Sequence, residues 1–516
     1  MTVDTSVVYR LHNAHLGPGR SLDAGARLTM APTGDGIGQR WRLVPQRDGT
    51  MALRASSYGD CYSLDVRNDD LHTPVMAPNA GFTGQAWTVS SSADGTVRLH
   101  NEFAGAFGVD RATGEPGFAT GAARQWTLTP LGEVAGEVPE PGRIPQLHQG
   151  EVRHHSEGPG DHPPCLLPVG RLTGVMVFVD FPDVCAGDTP AGSTGEHLLG
   201  SGRARQLFRD QSYGLLDLDV TVRSDLGWRQ MPEPSTAYSF AEFAAHRAFI
   251  SAAAALFAPE EIRFSDYDIV YVVAAPTEHF PLSPAFLPGP GDAAASPSGP
   301  IRHAVTFGAD SYRNRYTNLV HEVGHLIGLP DLYRIGGGPG EHRAGCWDLM
   351  SDIFHSVGFL GWHRHKNGWL PAERKTYVPD RRRGWRTTLH PLTGPDGLSM
   401  VVLPADDVRC PAKVFVVELA QPVLGGNDEC GNDEYRGEGV LVYTVDASVP
   451  SGECPVVVIP RSDAGSETFG ELFEAPYRVG DVAEVSERDG GRLTVAVTAR
   501  HGPAYEVELT YRAPER

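Results

Sequence analysis

Hydrophobic and polar residues alternate in short segments over about the first 130 residues, and Gly, Asp and Asn separate these segments. A period of two predicts β-strands with one buried face. The pattern recurs in three blocks that close on Trp41, Trp87 and Trp126, in the sequences GQRWRL, GQAWTV and RQWTL. A threefold repeat of short strands predicts an all-β N-terminal domain over residues 1–130.

The three blocks resemble the ricin-type β-trefoil lectins, whose repeats carry Gln-x-Trp near their ends. Two blocks keep this motif, and the third has Arg124 where Gln is expected. The resemblance implies a β-trefoil with a glycan as its partner. It also implies that the sugar is bound by one aspartate in each repeat, and the matching positions are Asp23, Asp65 and Asp110.

In such a site an aromatic ring stacks on the sugar, and the equivalent positions lie near Met30, Met76 and Phe118. Only Phe118 is aromatic, so we expect weak binding to neutral sugars, with any stronger binding confined to the third repeat. The alternative is that the Gln-x-Trp elements belong to the core and that the aspartates hydrogen-bond turns.

Residues 131–165 lack hydrophobic periodicity and are dense in Pro, Gly and charged residues. This composition predicts a linker and a domain boundary. His154, His155, His162 and Cys165 could bind a metal or mask an active site, although clustered histidines in a solvated linker commonly have no such role.

Apolar runs and amphipathic segments alternate over residues 166–374, which predicts an α/β domain. The expected strands begin near Gly174, Leu215, Tyr267 and Ala304, and the expected helices lie at 196–211 and 240–257. From residue 375 only strand patterns remain, separated by turns rich in Gly and Asp. Residues 375–516 therefore predict an all-β sandwich.

The segment HEVGHLIGLPD contains two histidines four residues apart, His321 and His325, with Glu322 after the first. Histidines at this spacing project from one face of a helix and can bind one zinc ion. Gly328 can end the helix with a positive φ, so that the chain turns back and presents Asp331 to the same ion. Glu322 would then act as general base towards a metal-activated water.

This motif and the following GCWDLMSD resemble the immune inhibitor A-type metalloproteases, which are secreted bacterial zinc endopeptidases of the metzincin-like kind. VMVFVDFPD, QSYGLLDLDV and GFLGWHRHKNGWL resemble further segments of that family. The resemblance implies a central α/β zincin (metzincin-like) catalytic domain, a methionine turn at Met350 and an extracellular location. It makes Asp331 the third zinc ligand, a role for which Asp348 and His355 compete.

A formal charge of −20 disfavours nucleic acid and anionic membranes as partners. No apolar stretch is long enough to span a membrane, and the opening residues show no secretion signal. Seven scattered cysteines indicate no cysteine zinc site and allow at most three disulfides. We expect a monomer.

The loop at residues 425–439 gathers five carboxylates, Asp428, Glu429, Asp433, Glu434 and Glu438. Hard oxygen ligands of this kind could bind calcium, although their spacing does not match an EF-hand. An acidic hairpin tip that its charges keep soluble is the other explanation.

The sequence therefore leads to one hypothesis and two alternatives. The hypothesis is a zinc-dependent endopeptidase that hydrolyses peptide bonds of protein substrates, with a lectin-like module that targets it to glycosylated surfaces. The first alternative is a carbohydrate-binding adhesion protein with a vestigial protease domain. The second is an intracellular processing peptidase.

Overall fold

The computed structural model is that of a multidomain, largely β protein. Among the residues it describes, no helix has the length and apolarity needed to cross a membrane. The described residues are 3–25, 28–46, 48–67, 70–79, 82–118, 122–133, 144–150, 155–158, 165–289, 291–337, 342–355, 358–394, 397–406, 410–420, 438–461, 472–486 and 491–512.

The N-terminal region consists of short strands that close into a barrel. Its described strands are β1 Val7–Asn13, β2 Arg20–Ala24, β3 Leu28–Pro32, β4 Trp41–Pro45, β5 Met51–Ala55, β6 Tyr62–Arg67, β7 Asp70–Pro78, β8 Trp87–Ser91, β9 Val97–Asn101, β10 Gly105–Val109, β11 Pro116–Gly117 and β12 Trp126–Glu133. Strands β1, β4, β5, β8, β9 and β12 pair in a ring that closes through the β12–β1 pair. The hairpins β2–β3, β6–β7 and β10–β11 complete the three repeats, as in a β-trefoil.

The repeat tryptophans form the centre of this barrel. Trp41, Trp87 and Trp126 are fully buried, and each indole Nε1 donates to a backbone carbonyl within its own repeat, at 2.9 to 3.0 Å. The identical bond in each repeat satisfies a polar atom that burial would otherwise leave unpaired. The Gln-x-Trp elements are therefore part of the core.

The positions expected to stack on a sugar are buried instead. Met30, Met76 and Phe118 all lie in the same hydrophobic core. The Phe118 ring stacks on Trp87 with 6.1 Å between centroids and contacts Phe107 at 5.6 Å. A ring already packed on both neighbours cannot stack on a sugar. The prediction that Phe118 offers a stacking surface is therefore wrong, because its ring, just after the short strand β11, packs into the core against Trp87 and Phe107.

The central region is a mainly parallel sheet with helices on both faces. Its described strands are β13 Gly170–Asp180, β14 Leu216–Val222, β15 Trp228–Gln230, β16 Ile269–Ala274, β17 Ala285–Phe286 and β18 Ala304–Phe307, and its described helices are α1 Ala191–Leu199, α2 Arg203–Gln211, α3 Phe243–Ala254, α4 Ser311–Leu326 and α5 Gly361–Lys366. The strand order is β14-β13-β16-β18-β17, with β15 beside β13 and β17 as an antiparallel edge strand. Helices α1, α2 and α4 cover one face, and α3 covers the other.

One helix predicted at 196–211 is in fact two. Helix α1 ends at Leu199, and Gly200, Ser201 and Gly202 all have positive φ angles of 59°, 53° and 92° before α2 begins. Glycine tolerates this left-handed conformation, so the Gly-Ser-Gly sequence breaks the helix rather than continuing it.

The C-terminal region contains two packed sheets. Its described strands are β19 Lys375–Tyr377, β20 Trp385–Leu389, β21 Met400–Pro404, β22 Lys413–Ala420, β23 Gly439–Asp446, β24 Val456–Val458, β25 Val482–Ser486, β26 Arg492–His501 and β27 Ala504–Arg512. Sheet β19-β21-β22-β23-β24 packs through one face on sheet β20-β27-β26-β25. Its other face joins the core of the central region, so no solvent-filled boundary separates the two regions there.

Part of the predicted linker, residues 131–165, packs against the folded regions. Leu147 is fully buried in the central core, and its carbonyl accepts a hydrogen bond from Tyr62 of the trefoil. His148 donates its backbone N–H to Pro411 of the C-terminal region at 2.8 Å. Residues 144–150 therefore differ from the solvated linker that their composition suggested, because apolar residues among the prolines find a core to enter.

A disulfide joins Cys61 of the trefoil to Cys410 of the C-terminal region, with 5.8 Å between the two Cα atoms. The cysteine spacing gives no hint of this pair, since the two residues are 349 positions apart. The trefoil is thus connected to the rest of the molecule by two covalent links, the peptide backbone and the disulfide.

This second connection can be tested by cutting the first. A specific protease site inserted into the segment 134–143 should allow cleavage into two fragments that stay joined on a non-reducing denaturing gel and separate only with reductant. In Cys61→Ser they should separate without reductant, whereas Cys185→Ser, which removes an exposed free cysteine, should behave as wild type. Separation of the cut wild-type fragments without reductant would contradict the disulfide.

Candidate metal centre

Helix α4 carries both histidines of the motif. The way the helix ends determines where the candidate third ligand, Asp331, lies. After Leu326 the chain passes through Gly328 at φ 98°, and the Leu329 N–H donates back to the Gly324 carbonyl at 2.9 Å. This is the glycine-terminated helix end that the sequence predicts. The reversal brings Asp331 beside the histidine face of the helix.

The structure brings His321, His325 and Asp331 into one cluster. Asp331 Oδ1 lies 3.2 Å from His321 Nε2 and 3.3 Å from His325 Nε2. The Nδ1 atoms of the two rings face carbonyl oxygens, that of Leu349 for His321 and that of Leu329 for His325, each at 2.9 Å. A carbonyl only accepts, so each Nδ1 carries a proton, and in the neutral ring each Nε2 has a lone pair directed at the carboxylate.

Three electron-rich atoms that face one another require a positive charge between them. Asp331 Oδ1 is buried and, among the described residues, has no hydrogen-bond partner. Burial opposes a charge on His325, but the Asp331 carboxylate outweighs this effect and raises the pKa of His325 to about 9. A proton or a metal cation can supply the charge, and the donor set of two imidazole nitrogens and one carboxylate suits a metal.

Glu322 lies beside this cluster without belonging to it. It follows His321 in α4, is nearly fully buried, and lines the same cavity. Burial raises the pKa of the Glu322 carboxyl to about 7. A carboxyl group in this position can exchange a proton with a molecule held in the cavity.

The cluster opens into a cavity of about 570 Å³. The chain at 282–287, which includes the edge strand β17, and the chain at 351–354 both line this cavity. Leu282 and Phe354 contribute exposed apolar surface. Carboxylates and histidines line the same cavity, so it combines apolar and polar surface.

Met350 packs directly beneath the helix. It is fully buried, and a Cβ atom built on Gly324 would come within 2.5 Å of its Sδ atom. Its backbone carbonyl accepts from the Leu332 N–H at 2.9 Å, which ties the Met350 turn to the loop that carries Asp331. The residue is thus both a core residue and a support for the cluster.

The two competitors for the third position lie elsewhere. Asp348 is fully buried, with Oδ2 2.8 Å from His363 Nδ1, and it accepts the Leu360 N–H. His355 contacts Asp352, with 2.7 Å between Nδ1 and Oδ2. Neither residue joins the cluster of His321, His325 and Asp331.

Sequence reasoning missed how residues 155–158 pack against this site. Glu157 is buried and accepts from Trp362 at 3.0 Å and bonds His363 at 2.9 Å, while Lys366 lies at 3.5 Å. These positive neighbours outweigh the cost of burial and lower the pKa of Glu157 to about 2. A single glutamate in a polar, Pro-rich segment gives no local signal of this role.

Two residues of the linker group identified from sequence are described by the structure. His155 lines the cavity, and its Nε2 lies 3.1 Å from the His325 carbonyl and 3.9 Å from Cys165 Sγ. The structure therefore places part of that group at the edge of the site. His154 and His162 lie outside the described residues.

The three aspartates of the trefoil are not equivalent. Asp65 is buried, and its carboxylate accepts from the Gln85 amide at 3.0 Å and from the Val66 N–H. Asp23 accepts from Gln39 at 2.9 Å in the same way. Asp110 is instead partly exposed and accepts from backbone N–H groups of the turn that follows it. Arg124 in place of glutamine thus leaves the third carboxylate accessible.

The acidic loop falls mostly outside the described residues, including Asp428, Glu429, Asp433 and Glu434. Its last member, Glu438, pairs with Arg500 at 2.7 Å. This pairing occupies one oxygen of the one carboxylate of the loop that is described.

No protein-family model matches the chain, and no curated protein matches it. Solved structures match about a quarter of the chain. The designed threefold-symmetric protein ThreeFoil is 26% identical, covers 24% of this chain and 97% of its own, and has a TM-score of 0.21. The ricin B-like lectin of Macrolepiota procera in complex with lactose is 19% identical, with coverages of 25% and 98% and a TM-score of 0.21. The BEL β-trefoil is 10% identical, with coverages of 25% and 97% and a TM-score of 0.23.

One of these neighbours is a β-trefoil, and another is a ricin B-like lectin. At such TM-scores the trefoil assignment rests on this chain's own strand order and on its repeated tryptophan bonds.

The buried Glu157 predicts a pH-dependent stability. Glu157→Gln leaves Lys366 without its carboxylate and His363 with Asp348 alone, which should cost about 3–5 kcal/mol of unfolding free energy at pH 6. Because the pKa of Glu157 falls from 4.5 to about 2 on folding, its contribution is complete above about pH 4.5 and is lost as pH falls towards 2. Urea unfolding of both proteins at several pH values measures the difference.

The control is Glu508→Gln, which breaks an exposed ion pair with Arg386 and should cost less than about 1 kcal/mol. Equal effects of the two substitutions at pH 6 would contradict the role assigned to Glu157.

Proposed function

We propose that the central and C-terminal regions form a zinc-dependent endopeptidase of zincin type. The observation that carries this proposal is the convergence of His321 Nε2, His325 Nε2 and Asp331 Oδ1, with both rings oriented by carbonyl bonds on Nδ1. Ligands about 2.0–2.1 Å from a tetrahedral ion lie roughly 3.3 Å apart, which agrees with the 3.2 and 3.3 Å separations. Two histidines and one carboxylate are a ligand set of catalytic zinc.

A zinc ion held by these residues would lower the pKa of a water molecule and polarise the scissile carbonyl of a peptide. The protein's own contribution comes from Glu322, which takes a proton from the attacking water and later delivers it to the leaving amine. Its place in the lining of the same cavity as the candidate ligands suits it to both transfers.

The cavity also suits an extended peptide. Strand β17 at its wall is the edge of the central sheet, paired with β18 on one side only among the described strands. An edge strand can pair with an extended chain through main-chain hydrogen bonds, as peptide-binding sheets do. A protein substrate paired with β17 in this way would pass through the cavity that Glu322 and the candidate ligands line.

We infer for the trefoil a separate role in binding glycans. Its support is the accessible carboxylate of Asp110, while Asp23 and Asp65 are engaged by glutamines. A tethered module would raise the concentration of the enzyme near glycosylated targets. A carbohydrate-binding protein with a vestigial protease domain is the second candidate, favoured by the same carboxylate.

The Cys61–Cys410 disulfide supports an extracellular location, since disulfides persist in oxidising compartments. It weighs against an intracellular processing peptidase. Calcium at the acidic loop stays a proposal without support from the described residues.

The metal itself gives the first test. We expect about one zinc per chain after dialysis, because three preoriented ligands bind zinc more tightly than exposed histidines do. His321→Ala should lose most of this zinc, whereas His501→Ala, which removes an exposed histidine, should retain it. Elemental analysis decides the matter. A wild-type protein without zinc would remove the metal site and the proposed mechanism together.

The second test separates the enzyme from the adhesion protein. Glu322→Gln should keep its zinc and lower casein hydrolysis by about two to four orders of magnitude, because general acid–base catalysis is lost while the ligands remain. Glu484→Gln, at an exposed position, should hydrolyse casein as wild type does. Zinc-loaded wild type that binds glycans on an array but hydrolyses no casein would favour the second candidate.

A further inference from the structure

The candidate ligand Asp331 is held by a residue of the C-terminal region, Ser451. The backbone N–H of Asp331 donates to Ser451 Oγ at 2.8 Å, and the Ser451 hydroxyl lies 3.4 Å from Asp331 Oδ2. The Gly452 N–H donates to the Asp331 carbonyl at 3.1 Å. Both the backbone and the carboxylate of Asp331 are thus fixed by the turn that follows strand β23.

The two oxygens of the Asp331 carboxylate have different neighbours. Ser451 engages Oδ2, and Oδ1 is the oxygen that faces the two Nε2 atoms. The histidines owe their direction to helix α4 and to their carbonyl partners. Asp331 follows a helix end and Pro330, so its direction depends on contacts from outside its own segment.

The turn is itself clamped from its far side. The Ser451 N–H donates to the His155 carbonyl at 3.0 Å, and Ser156 pairs with Pro450. Glu157, the next residue, is anchored in the core by its buried ion pair with His363. The turn at 450–452 therefore sits between Asp331 and a fixed stretch of residues 155–158, which limits its movement.

We propose that Ser451 is a positioning residue of the metal centre, and that the C-terminal region completes a site to which it contributes no ligand. The proposal rests on the proposed zinc site. Hydrogen-bond partners that orient a metal ligand typically account for about ten- to a hundredfold in metal affinity. Ser451 also lines the cavity beside the cluster, so its hydroxyl is close enough to act on Asp331 directly.

The test compares zinc affinities of full-length variants by competition with a chromophoric chelator. Ser451→Ala should weaken zinc binding by about ten- to a hundredfold. Ser451→Thr keeps the hydroxyl and should bind nearly as wild type. Ser448→Ala removes a hydroxyl three residues away that bonds Asp446, and it should leave the affinity unchanged.

A second readout distinguishes positioning from general loss of stability. The absorption bands of bound cobalt depend on the ligand geometry, so they should change in Ser451→Ala and stay as in wild type in Ser448→Ala. The thermal midpoint of the metal-free protein should be similar in both variants. If Ser451→Ala does not fold, Ser451→Thr and Ser451→Val, which differ in the hydroxyl alone, make the same comparison.

The outcomes for this proposal and for the proposed function differ. Wild type that binds no zinc overturns the proposed function. Wild type that binds zinc, with Ser451→Ala within twofold of its affinity and with an unchanged cobalt spectrum, overturns only the positioning role of Ser451. Weaker binding in Ser451→Ala that Ser451→Thr restores supports it.

Discussion

Burial of the β21–β22–β23 sheet on both faces is the constraint on which the arrangement of the other regions depends. Alternate residues of each strand point to opposite faces, so Val401, Phe415 and Val442 enter the sandwich core while Val402, Val416 and Tyr443 enter the core shared with the helices. A strand buried on both sides needs apolar residues at nearly every position, as in KVFVVELA. Removal of either neighbour would expose one whole face to water.

This shared core explains why the position of Asp331, in the loop after helix α4, can depend on a turn more than a hundred residues away in the sequence. Strand β23 leaves the sheet directly into the turn that holds Asp331, so the packing of the sheet sets the position of the turn. The atoms of the cluster are held close together by groups that have no charge of their own, so the positive charge that they require must come from a proton or a metal cation. The Leu349 and Leu329 carbonyls accept from Nδ1 of His321 and His325, and the Ser451 hydroxyl oxygen accepts from the Asp331 N–H.

Much of the local structure could be predicted from the sequence, because it depends on signals within a few residues. The threefold tryptophan repeat, the helix with His321 and His325, and the reversal at Gly328 are all of this kind. The burial of Phe118 could not be predicted, because its place in the repeat does not reveal that its ring packs on Trp87 and Phe107. Long-range pairs such as Glu157 with His363 gave no signal, since burial of a charge depends on partners that only the folded chain brings together. Ser451 belongs to the same class, because one serine in a turn is ordinary until its contact with Asp331 is known.

The disulfide between Cys61 and Cys410 has a mechanical consequence. A force applied to the trefoil, for example when it holds a surface under flow, has two routes into the rest of the molecule. One route runs through residues 134–158, which end beside the cluster on α4, and the other runs through sulfur into the loop between β21 and β22. The sulfur route leads into the sheet that also contains β23, and the turn after β23 holds Asp331. Tension on the trefoil would therefore act on a sheet whose packing sets the position of that turn, so the disulfide connects the mechanics of the trefoil to the geometry of the cluster.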